Sequence, residues 1–160
     1  METKIQIYKN CQVVDYLSDG PKKAYTCDIR IEGKKIVLSY PNREHVVWEG
    51  TEEAPGHYVC RAKGENIGGS APLHRFPKSN ALEGYWTMNS GVNAMDGMWR
   101  VILKNPWREP KKGDFVVITS EDGELVRCKI TGIANRHIKS KDFEDIPFSD
   151  YGINWEYAKD

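Results

Sequence analysis

The stretch from Gly69 to Leu103 reads GSAPLHRFPKSNALEGYWTMNSGVNAMDGMWRVIL. Two short runs, 73–76 and 82–88, flank Pro77-Lys78-Ser79-Asn80, which is turn chemistry. A hairpin closed across that loop sets Phe76 opposite Ala81 and His74 opposite Glu83. Directly opposed antiparallel residues have Cβ atoms about 4.5–5.5 Å apart, so imidazole and carboxylate fall within reach of each other. The segment 89–96 then connects to a third run, 97–103. Closing that connection symmetrically predicts Trp86 opposite Trp99 and Tyr85 opposite Arg100. Side chains alternate faces with period two. One face therefore carries Leu73, Leu82, Trp86, Met88, Trp99, Val101 and Leu103, which is a core face. The other carries His74, Phe76, Glu83, Tyr85, Thr87, Met98, Arg100 and Ile102, and gathers a base, an acid, a phenol and a guanidinium.

Upstream, the run 25–32 alternates cleanly, with Tyr25, Cys27, Ile29 and Ile31 on one side and Thr26, Asp28, Arg30 and Glu32 on the other. Gly33-Lys34 turns it, and the return run 35–40 places Ile36, Leu38 and Tyr40 inward. Segments 45–50 and 57–63 read as two further strands, and Ile5 and Ile7 mark an opening one. Downstream, the basic connector 104–113 carries Pro106 and Pro110, which exclude a helix interior or a central strand. Glu121-Asp122-Gly123-Glu124 then turns a hairpin between runs 114–120 and 125–132. The remaining tail, with one helical turn expected near 142–145 and stopped by Pro147, docks through Phe143, Phe148, Tyr151, Trp155 and Tyr157. About nine short strands with regular turn signals predict an all-β, mainly antiparallel fold. The expected organisation is a single small barrel or sandwich over residues 1–132, containing the connector 104–113, and an irregular tail over 133–160.

Lys plus Arg and Asp plus Glu both total 23 in 160 residues, so the net charge is zero. That balance argues against nucleic-acid binding driven by bulk positive charge. The cysteines Cys11, Cys27, Cys60 and Cys128 stand singly, with no Cys-x-x-Cys pair and no His at ligand spacing, so neither a metal nor another cofactor is expected. The N-terminal residues show no apolar signal-like region and no run approaches membrane-spanning length, which predicts a cytoplasmic, reduced protein with no membrane partner.

His74, Glu83, Tyr85 and Arg100 are the candidate site. A His–Glu pair with an adjacent Arg has the parts for acid–base chemistry on a phosphodiester. In residue types on one face it resembles the small microbial ribonucleases that work from an antiparallel sheet. The leading expectation is binding without catalysis, of a small polar or anionic ligand at that face. A nuclease-like or other hydrolytic enzyme is the alternative, and an ordinary solvated outer face with cross-strand pairs is the plain reading of the same residues. In the connector, Lys104, Arg108, Lys111 and Lys112 interleave with Trp107. That composition suits a nucleic-acid contact near Trp107 and Lys111, or a solvated linker pinned by its indole. A third functional class is a protein-interaction module that presents Trp48, Trp107 and Trp155.

Two resemblances accompany these residues. Glycines beside aromatics in Leu82-Glu83-Gly84-Tyr85-Trp86 and Gly97-Met98-Trp99, within a succession of short strands over 24–132, look like the up-and-down barrels of the calycin group. That likeness implies a small ligand held in the barrel mouth, although the Gly-x-Trp typical of lipocalin N-termini is missing. Lys112-Gly113-Asp114 before a hairpin, followed by Phe143-Glu144-Asp145-Ile146, is similar to the ASCH branch of RNA-associated PUA-like barrels. It covers the last 50 or so residues and lacks the upstream Gly-x-Lys-Thr-type segment.

Overall fold

The computed structural model describes residues 4–40, 43–103, 106–143 and 145–159. The chain divides into two compact units, Met1–Pro106 and Trp107–Asp160. In the first, eight strands form a closed antiparallel barrel: β1 (Ile5–Leu17), β2 (Lys22–Glu32), β3 (Lys35–Tyr40), β4 (Arg43–Ala54), β5 (His57–Lys63), β6 (Ile67–His74), β7 (Ala81–Ser90) and β8 (Asn93–Ile102). Each strand pairs with its neighbour in sequence, and β1 pairs with β8 to close the ring. This is the up-and-down order that the calycin resemblance implies.

Alternation builds the interior. In β5, Tyr58, Cys60 and Ala62 are buried while His57, Val59, Arg61 and Lys63 are exposed. Cys27, Ile29 and Ile31 of β2 and Ile36 and Leu38 of β3 face inward as their spacing predicts, paired in the register Glu32 to Lys35 and Ile31 to Ile36. The opening strand differs. Ile5 is exposed, and Tyr8, Cys11, Val13 and Asp15 occupy the interior. The pairing shifts between Tyr8 and Cys11, where Asn10 takes φ 52° and its amide donates to Asp28 Oδ1 at 2.8 Å. An inserted bulge residue changes which parity of the strand faces in.

The apolar face of the central stretch is inside as expected, with Leu73, Leu82, Trp86, Trp99, Val101 and Leu103 all buried. His74 lies opposite Glu83. The next hairpin differs in register by two residues. Trp86 pairs with Gly97, Gly84 with Trp99 and Glu83 with Arg100, and the strands run on to a tight turn at Gly91-Val92. A two-residue slip preserves the faces, because the side-chain period is two. The physical reason is volume. The interior of an eight-stranded barrel is just wide enough for side chains, and an indole fits where the partner has none. A Cβ on Gly97 would stand 3.1 Å from Trp86 Nε1 and 2.8 Å from the Tyr16 carbonyl oxygen. One on Gly84 would press into the Pro72 carbonyl and reach 3.0 Å from Leu73 Cδ2.

In the second unit, β9 (Phe115–Thr119), β10 (Leu125–Ala134), β11 (His137–Ser140), β12 (Ile146–Pro147) and β13 (Trp155–Tyr157) form one sheet in the order β12-β11-β10-β9-β13. The Asp-Gly hairpin, expected within a barrel reaching residue 132, therefore pairs with strands of the tail. The β1–β8 ladder leaves the barrel no open edge for it, and its inward residues Val116, Ile118, Cys128 and Ile130 share a core with Ile138, Phe148, Tyr151 and Trp155. The boundary falls inside the proline-bearing connector. The helical turn expected near 142–145 is instead a single 3-10 turn, Phe148–Asp150, which starts after Pro147 at φ −64°; Glu144 lies outside the described residues. All four cysteines are buried. Among the described residues, no helix is long and apolar enough to cross a membrane.

Packing against glycine makes a direct prediction. Gly84→Ala should destabilise the barrel severely, because the new methyl meets rigid backbone. Gly68→Ala in β6, where a Cβ meets nothing within 4 Å, should be neutral or stabilise by about 0.4–1 kcal/mol through the unfolded chain. Urea unfolding of the two variants checks the contrast, and equal effects would reject the steric account.

Candidate functional site

The four residues singled out by the sequence lie on the outside of the barrel, and each is engaged in its own pair. His74 Nδ1 is 3.2 Å from Nε2 of His57, its partner across β5 and β6, with the rings edge to face at 4.1 Å. The Glu83 carboxylate turns to Arg100, whose Nε is 3.3 Å away, and both side chains are about half exposed. Tyr85 donates its hydroxyl to Asp96, which raises the phenol and holds that carboxylate below its ordinary range. Arg100 thus meets Glu83 rather than Tyr85, the consequence of the two-residue shift. These pairs do not converge on one point, and ion pairs this exposed contribute little.

A concave feature of the barrel lies at its mouth, where the β1–β2 and β7–β8 turns gather. A cavity of about 260 Å³ opens there, lined by Asp15, Leu17, Lys23, Tyr25, Thr26, Tyr40, Val46, Trp48, Trp86, Met88, Met95 and Trp99. Its wall is aromatic. Trp99 packs edge-on against Trp48 at 5.0 Å and tilted against Trp86 at 5.9 Å, and Tyr25 sits 5.6 Å from Tyr40.

Set into this wall is Asp15, only 5% exposed. Its carboxylate accepts from Trp86 Nε1 at 2.9 Å and from the Tyr25 hydroxyl at 3.2 Å. Buried carboxylates need such partners, because desolvating an unpaired charge is costly. Among the described residues, the buried Trp99 Nε1 completes no well-formed hydrogen bond, its weak neighbour being the Tyr25 hydroxyl. Burial raises the Tyr25 phenol, the Asp15 charge and hydrogen bond raise it further, and Tyr40 and the Trp99 indole pull weakly the other way. Burial likewise raises Tyr40, with the Tyr25 and Cys27 side chains adding to it. Lys23 stands across from Asp15 in the β1–β2 ladder with its side chain exposed at the rim.

Sequence reasoning named Tyr25, Tyr40, Trp86 and Trp99 as inward residues without assembling them, and it did not single out Asp15. One signal for Asp15 is present. Beyond the bulge the run Cys11, Val13, Asp15, Leu17 alternates inward, with an acid in an apolar phase. Trp48, taken as exposed for the interaction-module reading, is buried in the barrel at 1% exposure, and Trp155 is equally buried in the second unit.

In the second unit Trp107 is half-buried among Phe148, Tyr151 and Trp155, at 5.8, 5.3 and 5.9 Å. Arg108 reaches Asp114 at 2.6 Å and lies over the Tyr157 ring at 4.2 Å. That contact holds the Asp114 carboxyl below its usual range. Lys111 and Lys112 are exposed, and Lys104 lies outside the described residues. Among the described residues no cluster of three His, Cys, Asp or Glu side chains is arranged to hold a metal ion.

Comparison with protein-family models, with curated proteins and with solved structures finds no match to this chain.

The tyrosine pair sets an alkaline limit on the barrel. A phenol whose folded pKa is raised contributes stability that is fully present below its unfolded value, near 10, and is lost as pH rises through the folded value. Barrel stability should therefore fall steadily above about pH 10. Asp15→Asn should bring the Tyr25 transition down only part of the way, since burial is the larger cause. Phenolate absorbance and unfolding measured together check this; a Tyr25 transition at the ordinary tyrosine value in the folded wild type would refute it.

Proposed function

We propose that the barrel binds a small molecule, without transforming it, in the aromatic cup at its mouth. The observation that carries this reading is the cavity itself. It is concave, walled by indoles and phenols, and bears one buried carboxylate and one buried indole N–H that, among the described residues, completes no well-formed hydrogen bond. Binding sites commonly combine an apolar lining with a few fixed polar groups. At about 260 Å³ the cup lies just below the range of about 300–1,000 Å³ for drug-sized ligands, so the ligand is compact. An eight-stranded barrel has room for one such molecule. The expectation of binding is retained, and its place moves from the His74 face to the interior. On the outer face the charged groups already neutralise each other in solvent, whereas the cup's polar groups retain unused capacity.

Tryptophan emission reports on this directly, because Trp48, Trp86 and Trp99 line the cup. Titration with small neutral compounds such as neohexanol, cyclohexanol and indole should shift or quench it saturably. Val46→Phe, which narrows the mouth, should weaken the response at least about ten-fold, since a blocked pocket loses most of the ligand's buried area. Glu83→Gln and Arg100→Ala should leave it unchanged. Saturable binding that vanishes in those two outer-face variants but survives Val46→Phe would return the site to the His74 face.

A further inference from the structure

We propose that the ligand of the cup is a cation, an ammonium or quaternary ammonium group with a neighbouring oxygen, seated among Trp48, Trp86 and Trp99 and facing Asp15. The inference rests on the cup being the binding site, and it adds the chemical class. Asp15 is the first support. A carboxylate has about four lone-pair directions, and Asp15 uses two, both toward neutral donors. Among the described residues no ion pair reaches it; Lys23, its partner across the ladder, is exposed at the rim. A buried charge held by neutral hydrogen bonds alone still gains from an opposite charge brought into the same low-dielectric space.

The second support is the wall. Indole is the strongest of the aromatic side chains at attracting a cation to its face, through the ring quadrupole. Trp99 touches both Trp48 and Trp86, and the paired rings of Tyr25 and Tyr40 line the same cavity, so an ammonium group in the cup is offered several aromatic rings. An anion of the same shape meets the negative faces of those rings and the Asp15 carboxylate. The third support is Trp99 Nε1, a buried donor with no well-formed hydrogen bond among the described residues. A hydroxyl or carbonyl oxygen near the ammonium group satisfies it, and buried polar groups are rarely left unpaired. Small amino alcohols and their N-methylated forms combine both features.

Three probes of nearly one shape separate charge from size: choline, its neutral carbon isostere neohexanol, and the anion of tert-butylacetic acid. Calorimetry and tryptophan emission on the full chain should rank choline first by at least about ten-fold over neohexanol, with the anion weakest, as expected for a desolvated cation–π contact assisted by a carboxylate. Asp15→Asn, confirmed as folded by circular dichroism, should abolish the preference for choline while leaving neohexanol binding in place. Lys23→Gln tests the idea at an exposed position that does not endanger folding. Removing the like charge at the mouth should tighten choline a few-fold at low salt and leave neohexanol unchanged. Neohexanol binding blocked by Val46→Phe but matched or exceeded by the anion would overturn the cation inference while the cup remained the site. The same holds for a choline preference untouched by Asp15→Asn and Lys23→Gln. If none of the three probes binds, the cup reading and the cation inference fall together.

Discussion

The ladder between β1 and β8 is the constraint on which the barrel depends. It joins the first strand to the last in the register Gln12 to Ile102 through Leu17 to Gly97, and with it the sheet has no edge left to pair. The same ladder makes the site. Asp15 and Trp86 are 71 residues apart in sequence, yet their side chains meet at 2.9 Å because β1 lies against β8 and β8 against β7. A one-residue slip would turn Asp15 out to solvent and leave the Trp86 indole N–H without its acceptor. Closure and the polar centre of the cup are therefore one structural event.

Filling the ring is a problem of volume, and the chain solves it by matching each large ring with an absent side chain. Trp86 lies across from Gly97 and Trp99 across from Gly84, while a Cβ on Gly69 would come within 3.1 Å of Trp48 Cη2. The glycines sacrifice strand propensity, about 0.5–1 kcal/mol each relative to Ala. In return the indoles bury large apolar areas, and each such burial outweighs that loss. The arrangement also keeps the rings at the mouth rather than collapsed into the centre. Below them, Val13, Ile29, Leu38, Leu73, Leu82 and Val101 form the aliphatic core.

Period-two alternation made most of this legible. The inward faces of β2, β3, β7 and β8 followed from the sequence because a strand with one buried side must alternate. What alternation cannot supply is register between strands and interruption within them. Opposing Trp86 to Trp99 looked favourable as an aromatic pair, but each indole faces a glycine, Gly97 and Gly84, and a shift of two residues left every face unchanged. The bulge at Lys9-Asn10 inverted the opening strand, so Ile5 emerged to solvent and Asp15 went in. Barrel closure is a contact between the first and eighth strands that no local pattern encodes. Pro106 and Pro110 marked an interruption, but the expected barrel still ran through that connector to residue 132. The destination of the next hairpin was not legible, since a hairpin's pattern names its core face and not the sheet that it joins.

The two polar constellations of the barrel contain similar residue types and differ in their surroundings, and this decides their weight. On the outer face, Glu83 and Arg100 face each other about half exposed at 3.3 Å. Unit charges at about 4 Å in bulk water interact by about 1 kcal/mol, much of which is offset by side-chain ordering. At an effective dielectric of about 20 the same separation is worth about 4 kcal/mol. Asp15 stands in surroundings of that second kind, packed between rings and held by two hydrogen bonds that fix its direction. A charge so placed has no freedom to turn toward water, and a visiting group meets an electrostatic surface already oriented. The outer face can exchange its ion pairs with solvent at almost no change in free energy. On the proposed reading, selectivity therefore belongs to the aromatic mouth that β1 completes.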